Sequence, residues 1–134
     1  MRTWVGSLVL AIGVATATSA AAVEWKELAK ANTVTITTNN ADGSPRHTTV
    51  WMVVLDGFPY VRTGNTRWAE NIARDPNVML RVDEEDFVMR AVQVHDPILV
   101  ERLQTEYHEK YGWSDSLAKL LPGSGTKLFR LDAR

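Results

Sequence analysis

The sequence predicts a mainly β, α+β domain: about six strands in hairpins, curled into a small antiparallel barrel, with two helices. Two observations carry that prediction. Apolar and β-branched runs alternate with short turn signals, so most neighbouring strands are joined tightly and run antiparallel. Sustained helical patterns fall in only two places between strands, one short and one long.

Each element follows from its residues. VEWKELAK, residues 23–30, is a short helical pattern with Trp25 and Leu28 on one side, suited to lie across one end of the fold. TVTITTNN, 33–40, is a strand ending in turn formers, and ADGSP makes the turn. RHTTVWMVVL, 46–55, reads as one continuous strand with Trp51 in the core, apolar on both faces toward its end and so buried on both. Asp56-Gly57 favours a hairpin because it tolerates two positive φ angles. FPYVRT, 58–63, returns, with Pro59 at an edge or an entry position.

The first helix spans residues 66–74. Asn65 or Thr66 caps it, Trp68, Ala69, Ile72 and Ala73 form its apolar stripe, and Asp75-Pro76 ends it. VMLRV (78–82) and FVMRAVQV (87–94) pair across the acidic DEED turn. Asp96-Pro97 opens the longer helix, Leu99, Leu103, Tyr107 and Tyr111 recur at steps of four, and Gly112 stops it. A loop or short helix through 114–121 and the PGSGT turn lead to a last strand, TKLFRLD.

Composition narrows the function. The chain has 134 residues, enough for one domain, with 15 Lys+Arg against 16 Asp+Glu and a formal charge of −1. No general basic field draws it to nucleic acid. The absence of cysteine excludes disulfides, thiolate metal sites and a cysteine nucleophile. His47, His95 and His108 lie on separate elements, and His108-Glu109 fails the zincin spacing because Gly112 stands at the second histidine position, so no metal site is expected. Gly123-Ser124-Gly125 precedes a strand, outside the strand–turn–helix context of a phosphate loop or nucleophile elbow. Residues 1–22 have the layout of a secretory signal: Arg2, an apolar run from Trp4 to Ala15, and Ala20-Ala21-Ala22 before a cleavage point. The expected organisation is a signal peptide over 1–22 and the barrel over 23–134, exported to the periplasm or secreted, with no stable membrane span in the mature form.

Two stretches, ADGSPRHTTVWMVVLDG and YVRTGNTRWAENIARDPNVMLRV, resemble the pyridoxamine 5′-phosphate oxidase-like split barrels. That superfamily includes flavin reductases and deazaflavin-dependent nitroreductases. The resemblance covers residues 33–94, and the DPILVERLQTEYHEKYG tail is similar to a small uncharacterised branch of it. It implies a C2 homodimer with a ligand at the dimer cleft, FMN or a deazaflavin as cofactor, and oxidoreductase chemistry. It also implies a phosphate grip from Arg46, His47 and Thr49 on the second strand and from Arg62, Thr63, Asn65, Thr66 and Arg67 in the turn entering the helix. Physically, a helix N-terminus offers free N–H groups and arginine adds a bidentate fork, and the arginines are expected to converge at one end of adjacent strands. Where flavin-binding members place a lysine, this chain has Trp68, whose ring could stack on a flat ligand. The alternatives are a cofactor-free barrel that binds a small anionic or planar ligand without turnover, and an interaction module.

Overall fold

The computed structural model describes residues 17–18, 23–112 and 125–134. The elements run β1 (Ala17–Thr18), α1 (Trp25–Leu28), β2 (Val34–Asn39), β3 (Pro45–Val50), β4 (Met52–Leu55), β5 (Phe58–Thr63), α2 (Arg67–Arg74), β6 (Asn77–Val82), β7 (Glu85–Gln93), α3 (Pro97–Tyr111) and β8 (Lys127–Ala133). The signal reading falls on residues 1–22, which apart from Ala17–Thr18 lie outside the described residues, as does the loop or short helix at 114–121. Those two residues pair in parallel with Asp86 and Phe87 of β7.

Seven strands of four residues or more form one antiparallel sheet in the order β3-β2-β6-β7-β8-β5-β4. The class is as expected; among the described residues the numbers differ, with seven such strands rather than six and three helices rather than two. The third helix is α1, the short helical pattern expected at 23–30, whose Trp25 is buried at 5.0 Å from the Phe87 ring. The extra strand arises because the 46–55 run breaks at Trp51. β3 pairs with β2, while β4 pairs with β5. These two strands, one residue apart in sequence, are the two ends of the strand order. The chain therefore crosses from one edge of the sheet to the other at Trp51, and the sheet curls until its edges approach.

Turn chemistry sets the hairpins. Asp56 and Gly57 both take positive φ, at 52° and 84°, as the tight β4–β5 connection requires. The β6–β7 turn uses Asp83 and Glu84 in the same way, at 49° and 70°, without a glycine. Pro59 occupies an entry position: β8 pairs with β5 only from Tyr60 onward, so Pro59 interrupts no ladder there.

Two apolar clusters divide at the sheet. The larger fills the barrel interior, with Ile36, Leu80, Val82, Met89 and Val61 closed off by Trp68, Ala69 and Ile72 of α2. The smaller lies on the outer face, where Leu103 and Tyr107 of α3 cover Val53, Leu55, Tyr60 and Leu128. The four-residue spacing read along α3 is the face it buries, with Leu99 and Tyr111 packed at the margin.

Candidate functional site

Strand alternation decides which of the expected residues can meet. On β5, Val61 belongs to the interior, as does Thr63, whose Oγ1 lies 2.8 Å from Thr66 Oγ1. Arg62 points the other way, with its guanidinium 4.2 Å from the Tyr107 ring centroid beneath α3. On β3, Arg46 pairs with fully buried Thr38 and faces α2, whereas His47 and Thr49 are exposed on the outer face. The expected convergence of Arg46, Arg62 and Arg67 is therefore corrected. β3 and β5 are not neighbours in the sheet, and Arg62 leaves by the opposite face from Arg46 and Thr63.

The inner group gathers around α2. Thr66 is the N-cap, its backbone extended and its hydroxyl accepting from Ala69 N at 3.3 Å. Arg67, the first helical residue, is exposed, and no described residue pairs with it. Asn65 Oδ1 accepts from Lys127 Nζ at 2.7 Å, which brings a cation from β8 beside the turn. Gly125 makes that approach possible: its φ is +82°, and a Cβ there would stand 3.2 Å from Asn65 Nδ2. Trp68 is 5% exposed and tilts onto Phe129, so its ring is a core group.

Arg46 reaches the same helix through a polar chain. Its Nε donates to Asn40 Oδ1 at 3.1 Å, and that oxygen also accepts from Asn71 Nδ2 at 2.9 Å. Asn71, buried one helical turn after Arg67, donates as well to Thr38 Oγ1 at 3.0 Å and accepts from Arg74 at 2.8 Å. Arg46 thus spends Nε on the protein, and no described residue hydrogen-bonds its terminal nitrogens. Below the chain, Asn39 donates to Asp75 at 2.9 Å, and this bond holds the Asp75 carboxyl below the ordinary carboxylate range. Chemically, the inner group offers what an anion takes: a capped helix start, paired hydroxyls and, from α2 and two elements bordering it, cationic side chains.

The outer group surrounds the Trp51 crossing. Tyr107 Oη donates toward the carbonyls of Trp51 and Tyr60, each at 3.2 Å. Lys110 Nζ donates to the carbonyls of Ala31 and Met52 at 2.7 and 2.6 Å, and burial pushes its pKa below the usual lysine value. Tyr111 Oη lies 2.7 Å from Asn32 O and 3.0 Å from Met52 O. Trp51 itself, expected in the core, is 37% exposed. Its carbonyl is tied inward while its ring lies outside, parallel to Tyr111 at 4.2 Å and 1°. Alternation explains the direction: Val50 and Met52 on either side belong to the interior cluster, so Trp51 between them faces outward.

Lys127, Asn40, Asn71 and Arg74 were not picked out from the sequence. Asn71 carried a signal, an amide among the apolar positions of α2; Lys127, far along the chain from Asn65, carried none. Among the described residues no group of three or more His, Asp or Glu could hold a metal ion, and no helix is long and apolar enough to cross a membrane.

Residues 24–124 match the model of a family described as uncharacterized protein conserved in bacteria (DUF2255). The chain belongs to that family. No curated protein matches the sequence. Solved structures share the fold. The conserved hypothetical protein Rv2991 from Mycobacterium tuberculosis is 22% identical over 90% of this chain and 84% of its own, with a TM-score of 0.70. HutZ, the heme storage protein of Vibrio cholerae, is 21% identical over 83% and 88%, with a TM-score of 0.69. A Listeria innocua protein provisionally assigned as a pyridoxamine 5′-phosphate oxidase is 13% identical over 82% and 90%, with a TM-score of 0.63. The DUF2255 chain thus has the split-barrel fold of the pyridoxamine 5′-phosphate oxidase-like superfamily.

Proposed function

We propose that this DUF2255 protein binds a phosphate-bearing flavin, FMN or a deazaflavin, with the phosphate at the start of α2, and that it works as an oxidoreductase of the split-barrel type. The observation that carries the reading is the unspent cation set on the inner face: Arg67 without a described partner, Arg46 with only Nε engaged, and Lys127 drawn in by Asn65. Thr63 and Thr66 supply hydroxyls between them. When bound, the flavin supplies hydride chemistry; the protein's share is grip and orientation. Neighbouring structures support a phosphate-bearing or planar ligand, since one is provisionally assigned as a pyridoxamine 5′-phosphate oxidase and another is described as a heme storage protein. The proposal includes a C2 homodimer with the ligand in the cleft between copies, and export after cleavage near Ala22.

The test is titration of the purified chain with FMN, following flavin fluorescence, beside an Arg46→Ala/Arg67→Ala variant. Saturable quenching in the wild type that disappears in the variant supports the reading. Equal quenching in both, or none in either, overturns it. A second reading, a cofactor-free barrel for a small anion, is favoured by Trp68, which fills with a core ring the position where a lysine is expected. Under it, inorganic phosphate raises the melting temperature of the wild type while FMN adds nothing further. Light scattering and the N-terminal sequence of protein recovered from outside the cytoplasm check the dimer and the cleavage; a monomer, or an intact Met1, removes each in turn.

A further inference from the structure

The turn between β2 and β3 carries a chain of side-chain bonds separate from the backbone bonds that close it. Its backbone closes on its own: Asn40 N donates to the Ser44 carbonyl and Gly43 N to the Asn40 carbonyl, each at 2.9 Å. Asp42 Oδ1 accepts from the Ser44 hydroxyl at 2.6 Å and from Ser44 N at 2.9 Å, and these bonds hold the Asp42 carboxyl below the ordinary carboxylate range. Because the hydroxyl proton goes to Asp42, Ser44 Oγ is an acceptor toward Asn40, whose Nδ2 donates to it at 3.1 Å. Asn40 thereby turns Oδ1 the other way, to Arg46 Nε at 3.1 Å and Asn71 Nδ2 at 2.9 Å. Every donor in the chain points toward the Asp42 carboxylate, so its bonds reinforce one another.

Asn40 is the junction of that chain, half-buried between an exposed turn and the buried Asn71. Flipping its amide would set Nδ2 against two donors, so one orientation is kept. Holding Nε restricts the rotation of the Arg46 guanidinium, while no described residue hydrogen-bonds its terminal nitrogens. A long side chain normally loses rotamer freedom when it takes a ligand, and one that is ordered beforehand loses less. We propose that Asn40, set by the Asp42–Ser44 turn, is the positioning residue that presents Arg46 to an anion. The β2–β3 turn then belongs to the anion cradle at α2, acting through Arg46. The role presupposes Arg46 as an anion grip, as proposed for FMN; the ordering of Arg46 by Asn40 is measurable without any ligand.

Two readouts on the full-length protein test this: hydrogen exchange at the Arg46 Nε–H, followed by NMR without ligand, and FMN affinity from flavin fluorescence. Ser44→Ala is expected to speed the exchange and to weaken FMN about two- to tenfold, the span of one neutral hydrogen bond. Its melting temperature stays near that of the wild type, because the backbone bonds of the turn remain. Ser44→Thr keeps the hydroxyl and restores both readouts. Asn40→Asp separates positioning from mere structure: its carboxylate still accepts from Arg46 and Asn71, so exchange stays slow and the fold stays stable. It also neutralises Arg46, and FMN affinity falls about tenfold or more. Saturable FMN binding that is indifferent to Ser44→Ala and Asn40→Asp leaves the flavin reading standing and overturns this role, as does Arg46 exchange that Ser44→Ala and Asn40→Ala leave unchanged. No binding of FMN or inorganic phosphate to the wild type overturns both. Should Ser44→Ala fail to fold, Asn40→Asp against the wild type decides by the same criterion.

Discussion

The start of α2 and the Trp51 crossing are opposites in what they leave unused. At the crossing the polar groups of α3 are spent on backbone: Tyr107, Lys110 and Tyr111 bind the carbonyls of residues 31, 32, 51, 52 and 60. What stays open there is a ring. At α2 the ring is consumed, because Trp68 is in the core, and what stays open is charge. The contrast follows from topology. A sheet whose edges part at one residue leaves backbone groups without ladder partners, and α3 must satisfy them or the fold loses several hydrogen bonds at once. The helix start of α2 has a cap of its own, and Arg67 beside it makes no bond to a described residue.

That division makes the crossing the more costly place to cut. Tyr107→Ala is expected to destabilise by about 3–5 kcal/mol, through the cavity it leaves beside Leu103 and the carbonyls it abandons, with Tyr107→Phe losing about 1–2 kcal/mol from the hydroxyl alone. Urea unfolding measures both, and a Tyr107→Ala loss under about 1 kcal/mol would mean that α3 does not hold the crossing shut. Next in size is Asn71→Leu, alike in branching but unable to serve Thr38, Asn40 and Arg74. A loss of about 1–3 kcal/mol is expected, together with weaker FMN binding, because Asn40 then no longer fixes Arg46. If stability falls while affinity stays, Arg46 is no part of the cradle.

The sequence disclosed the parts of this contrast that are local. The α3 face was readable because Leu99, Leu103, Tyr107 and Tyr111 repeat at helical spacing, and the α2 cap because Thr66 precedes an apolar stripe. Strand parity alone separates Arg62 from Thr63, since adjacent residues on a strand face opposite ways, yet grouping by proximity in the turn obscured it. Two features were out of reach. Nothing in RHTTVWMVVL marks the break at Trp51, because its period-two pattern runs through without a proline, glycine or bulge signal; only the pairing of β3 with β2 and of β4 with β5 imposes it. Lys127 meets Asn65 through the β5–β8 ladder, a pairing between segments more than sixty residues apart.

A smaller effect separates capping from binding at α2. Thr66→Ala should cost about 1 kcal/mol of stability, the usual loss for a threonine cap. Thr66→Asp keeps a cap and adds a negative charge that suits the helix dipole, so stability returns to near the wild type. In the cradle the same carboxylate repels phosphate. FMN affinity therefore falls further in the aspartate variant than in the alanine variant, the reverse of the stability order, and an affinity that follows stability would mean that no anion sits there.

The smallest effect is in acid, and it touches both regions in the same direction. The Asn39 bond lowers the pKa of Asp75 near α2, and the Arg102 bond lowers that of Asp56 at the hairpin beside α3. A carboxyl whose folded pKa lies below its unfolded one stabilises the protein at pH values above the unfolded pKa, and that contribution disappears as the pH falls through the folded pKa. Stability is therefore expected to be flat above about pH 5 and to decline below about pH 4. Asp56 is exposed and Asp75 only half-buried, so each contributes modestly, and salt should weaken Asp56 more because its partner is a charge while the main partner of Asp75 is an amide. Melting temperatures of Asp56→Asn and Asp75→Asn between pH 3 and 6, at low and high salt, measure this. A salt response confined to Asp56 keeps the two regions distinct: α3 is tied to the hairpin by an ion pair, whereas α2 is tied to β2 by hydrogen bonds from Asn71 to Thr38 and from Arg74 to the Asn39 carbonyl, which leave Arg67 for a ligand.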